Sequence, residues 1–230
     1  MKHWIALAAG LLAGASAMAQ AWPTKPIRFI VPFTAGSGTD IIARTVGDTM
    51  ARSLGQPIII ENKPGAGGTI AAAQVAKSEA DGYTILVHSS GHVVNPAIYT
   101  NLSYDTLKDL SGVVPMAALP NVLAVAPNRG WKTVGDLVAE AKAKPGKLNY
   151  ASAGVGAATH LNAEKFKMQA VFDAVHVPYK GTPEAITDVI GGRADWYFSP
   201  LSAALPLIKD GKILPLAVST PQRTPALPQV

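Results

Sequence analysis

The residues able to do chemistry in this 230-residue chain are mostly glycines, hydroxyls and backbone amides, gathered in turns. The first turn reads Phe33, Thr34, Ala35, Gly36, Ser37, Gly38, Thr39, Asp40. The second holds Ala66, Gly67, Gly68 and Thr69 after Pro64-Gly65, and the third runs from Ser152 through Gly154, Gly156 and Thr159 to His160. Each interrupts an apolar, strand-like run and opens directly into a helix-like one. Glycine lets the backbone approach a guest closely, and the first-turn N–H groups of a helix have no partner within it. Backed by the positive end of the helix dipole, such amides suit one bound anion. Tyr179, Lys180, Gly181 and Thr182, ahead of a further helix start, add a fourth donor set. Four charge-assisted contacts at about 2 kcal/mol each give roughly 8 kcal/mol before ordering costs, which is about micromolar affinity. Phe33 and Tyr179 are placed to supply apolar walls.

Other chemistries lack their residues. The first turn misses the third glycine of a dinucleotide fingerprint, and neither the Gly-Lys-Ser/Thr of a P-loop nor Gly-x-Ser-x-Gly occurs. His88 and His92 have i, i+4 spacing without the glutamate of a zincin, and 89–91 reads as a loop from which Ser89 joins the candidate ligand set. His160 starts or caps a helix in reach of a ligand, whereas His176 belongs to a strand face. Asp40, Asp105 and Asp195 are too scattered to pair as acid and base by spacing. The expectation is therefore no catalytic residue, no metal and no cofactor.

The elements that must hold these turns alternate. Strands are predicted over 27–33, 58–61 and 84–88, with helices over 40–54 and 69–78 between them. A second series follows: strands over 122–126, 148–151, 174–177, 194–198 and 213–218, with helices over 134–144, 157–169, 182–190 and 203–209. Alternation of this kind argues for an α/β fold with parallel sheets covered by helices. Its turns then lie at the carboxyl ends of the strands, where open sheets bind ligands. We expect a first lobe over 22–122, a second over 123–219 and a segment at 220–230 returning toward the first. The last ten residues carry three prolines and no capped element, so the chain reads as truncated at its C-terminal side, with the first lobe short of a completing segment.

Composition agrees with a folded, exported protein. A chain 48% hydrophobic and 15% charged can bury a sizeable core. Lys2 and His3 precede an apolar stretch over 4–15 that ends in small residues, with Ala17 and Ala19 as an A-x-A site. This is a secretory signal over 1–19, with an alternative cut after Ala21, and it predicts a periplasmic location in a Gram-negative context. The absence of cysteine excludes a lipid-modified N-terminus and disulfides. The formal charge of +5 is spread out; Lys142, Lys144 and Lys147 come closest to a cluster and sit where cations complement a helix end. That excludes nucleic acid and favours collecting small anions.

Several motifs together resemble the Bug family, the extracytoplasmic solute receptors of tripartite tricarboxylate transporters. They are the first turn with Pro32 before it and Ala43-Arg44 after it, Glu61-Asn62-Lys63-Pro64-Gly65-Ala66-Gly67-Gly68, Asp81-Gly82-Tyr83-Thr84, and Val177-Pro178-Tyr179-Lys180-Gly181 with Gly191-Gly192 downstream. The resemblance covers 22–228. It implies a two-lobed, type II-like periplasmic binding protein with a ligand cleft between the lobes. Such a protein is a monomer that delivers a small carboxylate to the large and small subunits of a membrane permease. In the family the first-strand loop and the Tyr179 region hold ordered waters against a ligand carboxyl, and a C-terminal segment returns to the first lobe. Many relatives carry an aspartate where Ser199 stands, which implies a mono-, di- or tricarboxylate without a free amine here. The competing readings are an exported hydrolase or lyase acting on carboxylated metabolites, and a sensor that signals to a membrane kinase.

Overall fold

A computed structural model describes residues 22–230; the expected export signal over 1–19 and its two candidate cleavage sites lie outside them. The first sheet has the order β2-β1-β3, all parallel, built from β1 (Ile27–Val31), β2 (Ile58–Asn62) and β3 (Thr84–Leu86). Its centre, Ile-Arg-Phe-Ile-Val, is rich in β-branched residues and buried on both faces, as a covered parallel strand must be. The period of two divides that burial. Ile27, Phe29 and Val31 pack with Ala43, Met50 and Leu54 of α1 (Gly38–Leu54), while Ile30 packs with Ala71 and Val75 of α2 (Thr69–Ala76). Past β3 the loop over 89–91 opens into α3 (Gly91–Ile98), a helix the sequence reading did not contain.

The second sheet has the order β6-β5-β7-β4-β8. Its strands are β4 (Asn121–Val125), β5 (Asn149–Ser152), β6 (Val175–Pro178), β7 (Trp196–Pro200) and β8 (Leu214–Val218). The helices are α4 (Val134–Ala143), α5 (Ala158–Ala170), α6 (Thr182–Ile190) and α7 (Leu201–Lys209). The expectation of purely parallel sheets needs one correction, because β4 runs antiparallel to both β7 and β8. It arrives from the first lobe with no crossover helix before it, so nothing restores the common direction. β7 and β8, joined through α7, straddle it.

The second lobe buries the larger side chains. Trp196 and Tyr150 are fully buried, and Trp196 lies edge-on to Phe166, Phe172 and Phe198. On the opposite face of β7, Tyr197 packs with Val122, Ala185 and Val189. Leu227 and Val230, from the segment expected to head back toward the first sheet, pack on this second-lobe cluster. No described helix is long and apolar enough to cross a membrane.

Candidate functional site

Each turn is held by a brace of its own. In the first, the buried carboxylate of Asp40 accepts from the Gly36 amide at 2.8 Å, from Arg44 Nε at 3.0 Å and from Asn62 Nδ2 at 2.9 Å. Asn62 Nδ2 also donates to the Phe33 carbonyl, closing the loop. Burial is the largest single influence on Asp40 and works to raise its pKa. Arg44, the Gly36 amide and Asn62 together outweigh it and hold the carboxyl below its ordinary value. In the second turn Gly65, Gly67 and Gly68 take positive φ, and Thr69 Oγ1 donates back to the Ala66 carbonyl.

The third turn leans on imidazoles. Ser152 Oγ accepts from the Gly154 amide at 3.0 Å and hydrogen-bonds with His176 Nε2 at 2.6 Å; His160 Nδ1 accepts from the Gly156 amide at 3.2 Å. The two rings stack 4.1 Å apart above Tyr150. Burial drives both toward neutrality, His176 down to about 4. Thr159 Oγ1 accepts from the Ala153 amide. In the fourth turn the Tyr179 amide donates to the Ser152 carbonyl, its hydroxyl donates to Asp188, and Thr182 Oγ1 bonds Tyr197 inside the lobe.

The four turns meet. The Thr182 amide of the second lobe donates to Ser37 Oγ of the first at 3.0 Å, the Thr34 amide donates to the Lys180 carbonyl, and Thr34 Oγ1 donates to Glu184. A side chain on Gly181 would overlap Thr34 and Ser37. On the other flank Tyr99 donates to the Val155 carbonyl, and a Cβ on Gly67 would overlap that carbonyl. A Cβ on Gly91 would lie 2.5 Å from the Gly156 carbonyl oxygen.

Between these contacts lies a cavity of about 380 Å³. The first lobe lines it with Phe33, Ser37, Thr39 and the strand end Leu86, Val87, His88, Ser89; the second with Ala153, Ala157, Thr159 and Thr182. Met116 and Leu119 of the connection and Asn121 at the start of β4 close one side, and no residue of the lining carries a carboxylate, ammonium or guanidinium. The starts of α1 and α5 open on this space without a side-chain cap, whereas the first amide of α6 is taken by Ser37 Oγ and its next residue, Pro183, has none to offer. The first amides of α1 and α5, left over by helix geometry, are the donors available to a guest.

The sequence-predicted residues therefore fall into several positions. Phe33, Ser37, Ser89, Thr159 and Thr182 line the cavity. Thr34, Gly67, Gly154, Gly156, Lys180 and Gly181 sit where the lobes touch. Asp40, Ser152, His160 and Tyr179 stand behind the turns as braces. Ala35, Gly36 and Ala66 are exposed at the turn tips, Thr69 is half-buried, and Gly68 lies against His88. Ser199 is fully buried at the end of β7, next to the lining residue Pro200, and donates to its carbonyl. Sequence reasoning missed His88, Asn121, Met116 and Leu119. For His88 a signal existed: a polar ring placed directly after an apolar strand and before two serines.

A sequence profile described as "Tripartite tricarboxylate transporter family receptor" matches residues 42–230. A UPF0065 protein of Pseudomonas sp. (strain P51) is 36% identical over 210 residues, covering 91% of this chain and 62% of that protein. Protein BugT of Bordetella pertussis is 35% identical over 224 residues, covering 96% of this chain and 68% of BugT. Among solved structures, an R. palustris protein with adipate is 36% identical at a TM-score of 0.87, covering 90% of this chain and 70% of that one. MatC from Rhodopseudomonas palustris with bound malate is 31% identical at a TM-score of 0.86, covering 91% of this chain and 71% of MatC. The chain thus spans about six- to seven-tenths of the length of these relatives.

Proposed function

We propose that this chain, which belongs to the tripartite tricarboxylate transporter receptor family that includes the Bug proteins, is a periplasmic receptor that closes on a small carboxylate without transforming it. One observation carries the reading. Two uncapped helix starts, one from each lobe, open on one cavity whose lining holds no acidic side chain to repel an anion. Solved neighbours that hold adipate and malate support a carboxylate as the guest. Delivery to a large and a small permease subunit, by a monomer, is part of the same proposal. The preference for a ligand without a free amine rests on the aspartate that many relatives carry where Ser199 stands, since Ser199 itself is fully buried behind the lining residue Pro200.

Titration calorimetry tests this. Adipate or malate should bind at about micromolar affinity, and the corresponding diamides should not bind measurably. Binding of the diamides as tight as that of the acids would overturn the anion reading. Aspartate bound more tightly than any amine-free acid would overturn the ligand preference alone. A ligand recovered chemically altered, as judged by mass spectrometry, would convert the receptor into the hydrolase or lyase. The Ser152 and His176 pair gives that alternative no support, since the serine is fully buried and lies outside the cavity lining.

A further inference from the structure

We infer that Asn121 is the residue that reads the second carboxylate of a dicarboxylate ligand, by donating its side-chain N–H to it. The inference rests on the carboxylate-receptor reading above and deepens it by naming the group that recognises the far end of the ligand. Asn121 opens β4, where the chain enters the second sheet from the first, and it lines the cavity. The rest of that strand is Val-Leu-Ala-Val, apolar and buried, and asparagine is depleted in strands. Asn121 keeps only 6% of its exposure, yet its carboxamide meets no hydrogen-bond partner among the described residues. Neither of its polar atoms is enclosed, unlike Asn95 Oδ1, which is sealed in and unpaired. A buried, unpartnered amide that is still open to the space it borders is a donor turned toward a guest.

The strand places that donor between the two open helix starts. The period of two puts its side chain on the face of Leu123, which packs with Ala163 and Phe166 of α5, and the start of α5 borders the same cavity. Pro200, opposite Asn121 in the ladder, lies against Gly38 at the start of α1, where an added Cβ would stand 2.7 Å from it. A structural asparagine at a crossing would spend its carboxamide on tying the segments together. Here other atoms do so: the Asn121 backbone amide donates to Ser219 Oγ at 2.9 Å, and its carbonyl accepts from the Ser219 amide at 2.8 Å. With β7 and β8 on either side of β4, the position is fixed before any ligand arrives. The helix starts provide for one carboxylate. A second enters a lining without lysine or arginine, where its desolvation needs a donor to offset it. A charge-assisted bond from Asn121 Nδ2 supplies one, and Leu86, Val87, Met116 and Leu119 offer apolar walls for the carbons between.

The test is calorimetry at pH 7.5 with two pairs of acids, adipate with hexanoate and malate with 2-hydroxybutyrate. Each pair shares one carbon chain and differs by one carboxylate. In whichever pair binds, Asn121→Ala should weaken the diacid about tenfold more than its monoacid, the worth of one charge-assisted hydrogen bond. Should the variant fold poorly in a thermal melt, or the monoacids bind too weakly to measure, the unmodified protein answers the same question. The bound diacid should move the resonances of the Asn121 side-chain amide protons and slow their exchange with water. A bound diacid that leaves those protons as they were, a diacid affinity unmoved by Asn121→Ala, or equal losses for both members of a pair overturns the inference and leaves the receptor reading standing. Failure of all four acids to bind the unmodified protein overturns both.

Discussion

The lobes touch in two places that are built on opposite principles. Where the first turn meets the fourth, side chains specify the contact: Ser37 Oγ receives the Thr182 amide, Thr34 reaches Glu184, and the carboxylate of Asp40 braces the loop from behind. Where the second turn and α3 meet the third, close backbone approach dominates, with one side-chain bond, from the Tyr99 hydroxyl to the Val155 carbonyl. Gly67 and Gly91 leave room for the carbonyls of Val155 and Gly156, and the braces are the neutral imidazoles of His88, His160 and His176. The first contact depends chiefly on hydrogen-bonding side chains, with Gly181 making room for them, and the second chiefly on bare backbone, so the two should fail in different ways.

The strongest test adds one methyl group. Gly91 has no positive φ and opens a helix, where alanine is intrinsically favoured by about 0.5–1 kcal/mol, so Gly91→Ala leaves the isolated first lobe intact. Its Cβ, however, would stand 2.5 Å from the Gly156 carbonyl oxygen across the interface. Forced overlap of that kind costs about 1–3 kcal/mol, and ligand affinity should fall by up to about a hundredfold. Calorimetry should show the loss without a lower melting temperature. Unchanged affinity would mean that the backbone contact is not part of the bound state.

The matching break on the other side is Asp40→Ala. It strands the Gly36 amide, Asn62 and Arg44 at once, and because Arg44 is half-exposed the cost should be about 2–3 kcal/mol rather than the full value for a buried pair. Urea unfolding measures it. A change under 1 kcal/mol would show that the loop holds its shape without the carboxylate.

Acid should separate the two contacts. His88 and His176 are held neutral, with pKa values near 3 and 4 against the ordinary 6.5, so the unfolded chain binds more protons than the folded one in that interval. Their stabilisation is complete above 6.5 and is lost as pH falls toward those folded values. Asp40 is likewise held below its ordinary 3.8, so its contribution persists to that value and disappears only on passing further down. Hydrogen exchange, corrected for the intrinsic pH dependence, should therefore show the Gly154 and Gly156 amides losing protection between pH 6.5 and 4, by on the order of tenfold. The Gly36 amide should stay protected until below pH 3.8. Simultaneous loss at all three would erase the distinction.

The difference between the contacts also explains what the sequence disclosed. Glycine-rich turns at strand ends are visible as composition, so all four were legible, as was the alternation that places them at one end of the sheets. Roles within a turn were not. Asp40 looks in sequence like a helix cap open to a ligand, and only the approach of Asn62 from β2 and Arg44 from the next helical turn makes it a brace. His176 and Ser152 are 24 residues apart, and the parallel pairing of β5 with β6 brings them together. α3 escaped because Pro96 sits inside it and Ser89-Ser90-Gly91 reads as a loop, although Val93, Val94 and Ile98 keep a helical spacing. The antiparallel β4 escaped because direction leaves no trace in a run of five buried residues.

The smallest expected effect is the one that isolates burial. Glu184 accepts from Thr34 Oγ1 across the lobes at 2.9 Å, nearly the length of the bond from the Thr182 amide to Ser37, but it does so in solvent. Water replaces a lost partner there at almost no cost, whereas the buried Thr182 amide has no such substitute. Glu184→Gln should therefore change ligand affinity by less than about threefold. Ser37→Ala, compared in the absence of ligand so that its place in the cavity lining does not enter, should lower stability by about 1–3 kcal/mol. If the two substitutions cost the same, the contact between the first and fourth turns is open to water. The division between a contact specified by side chains and one specified by bare backbone would then reduce to a difference in packing alone.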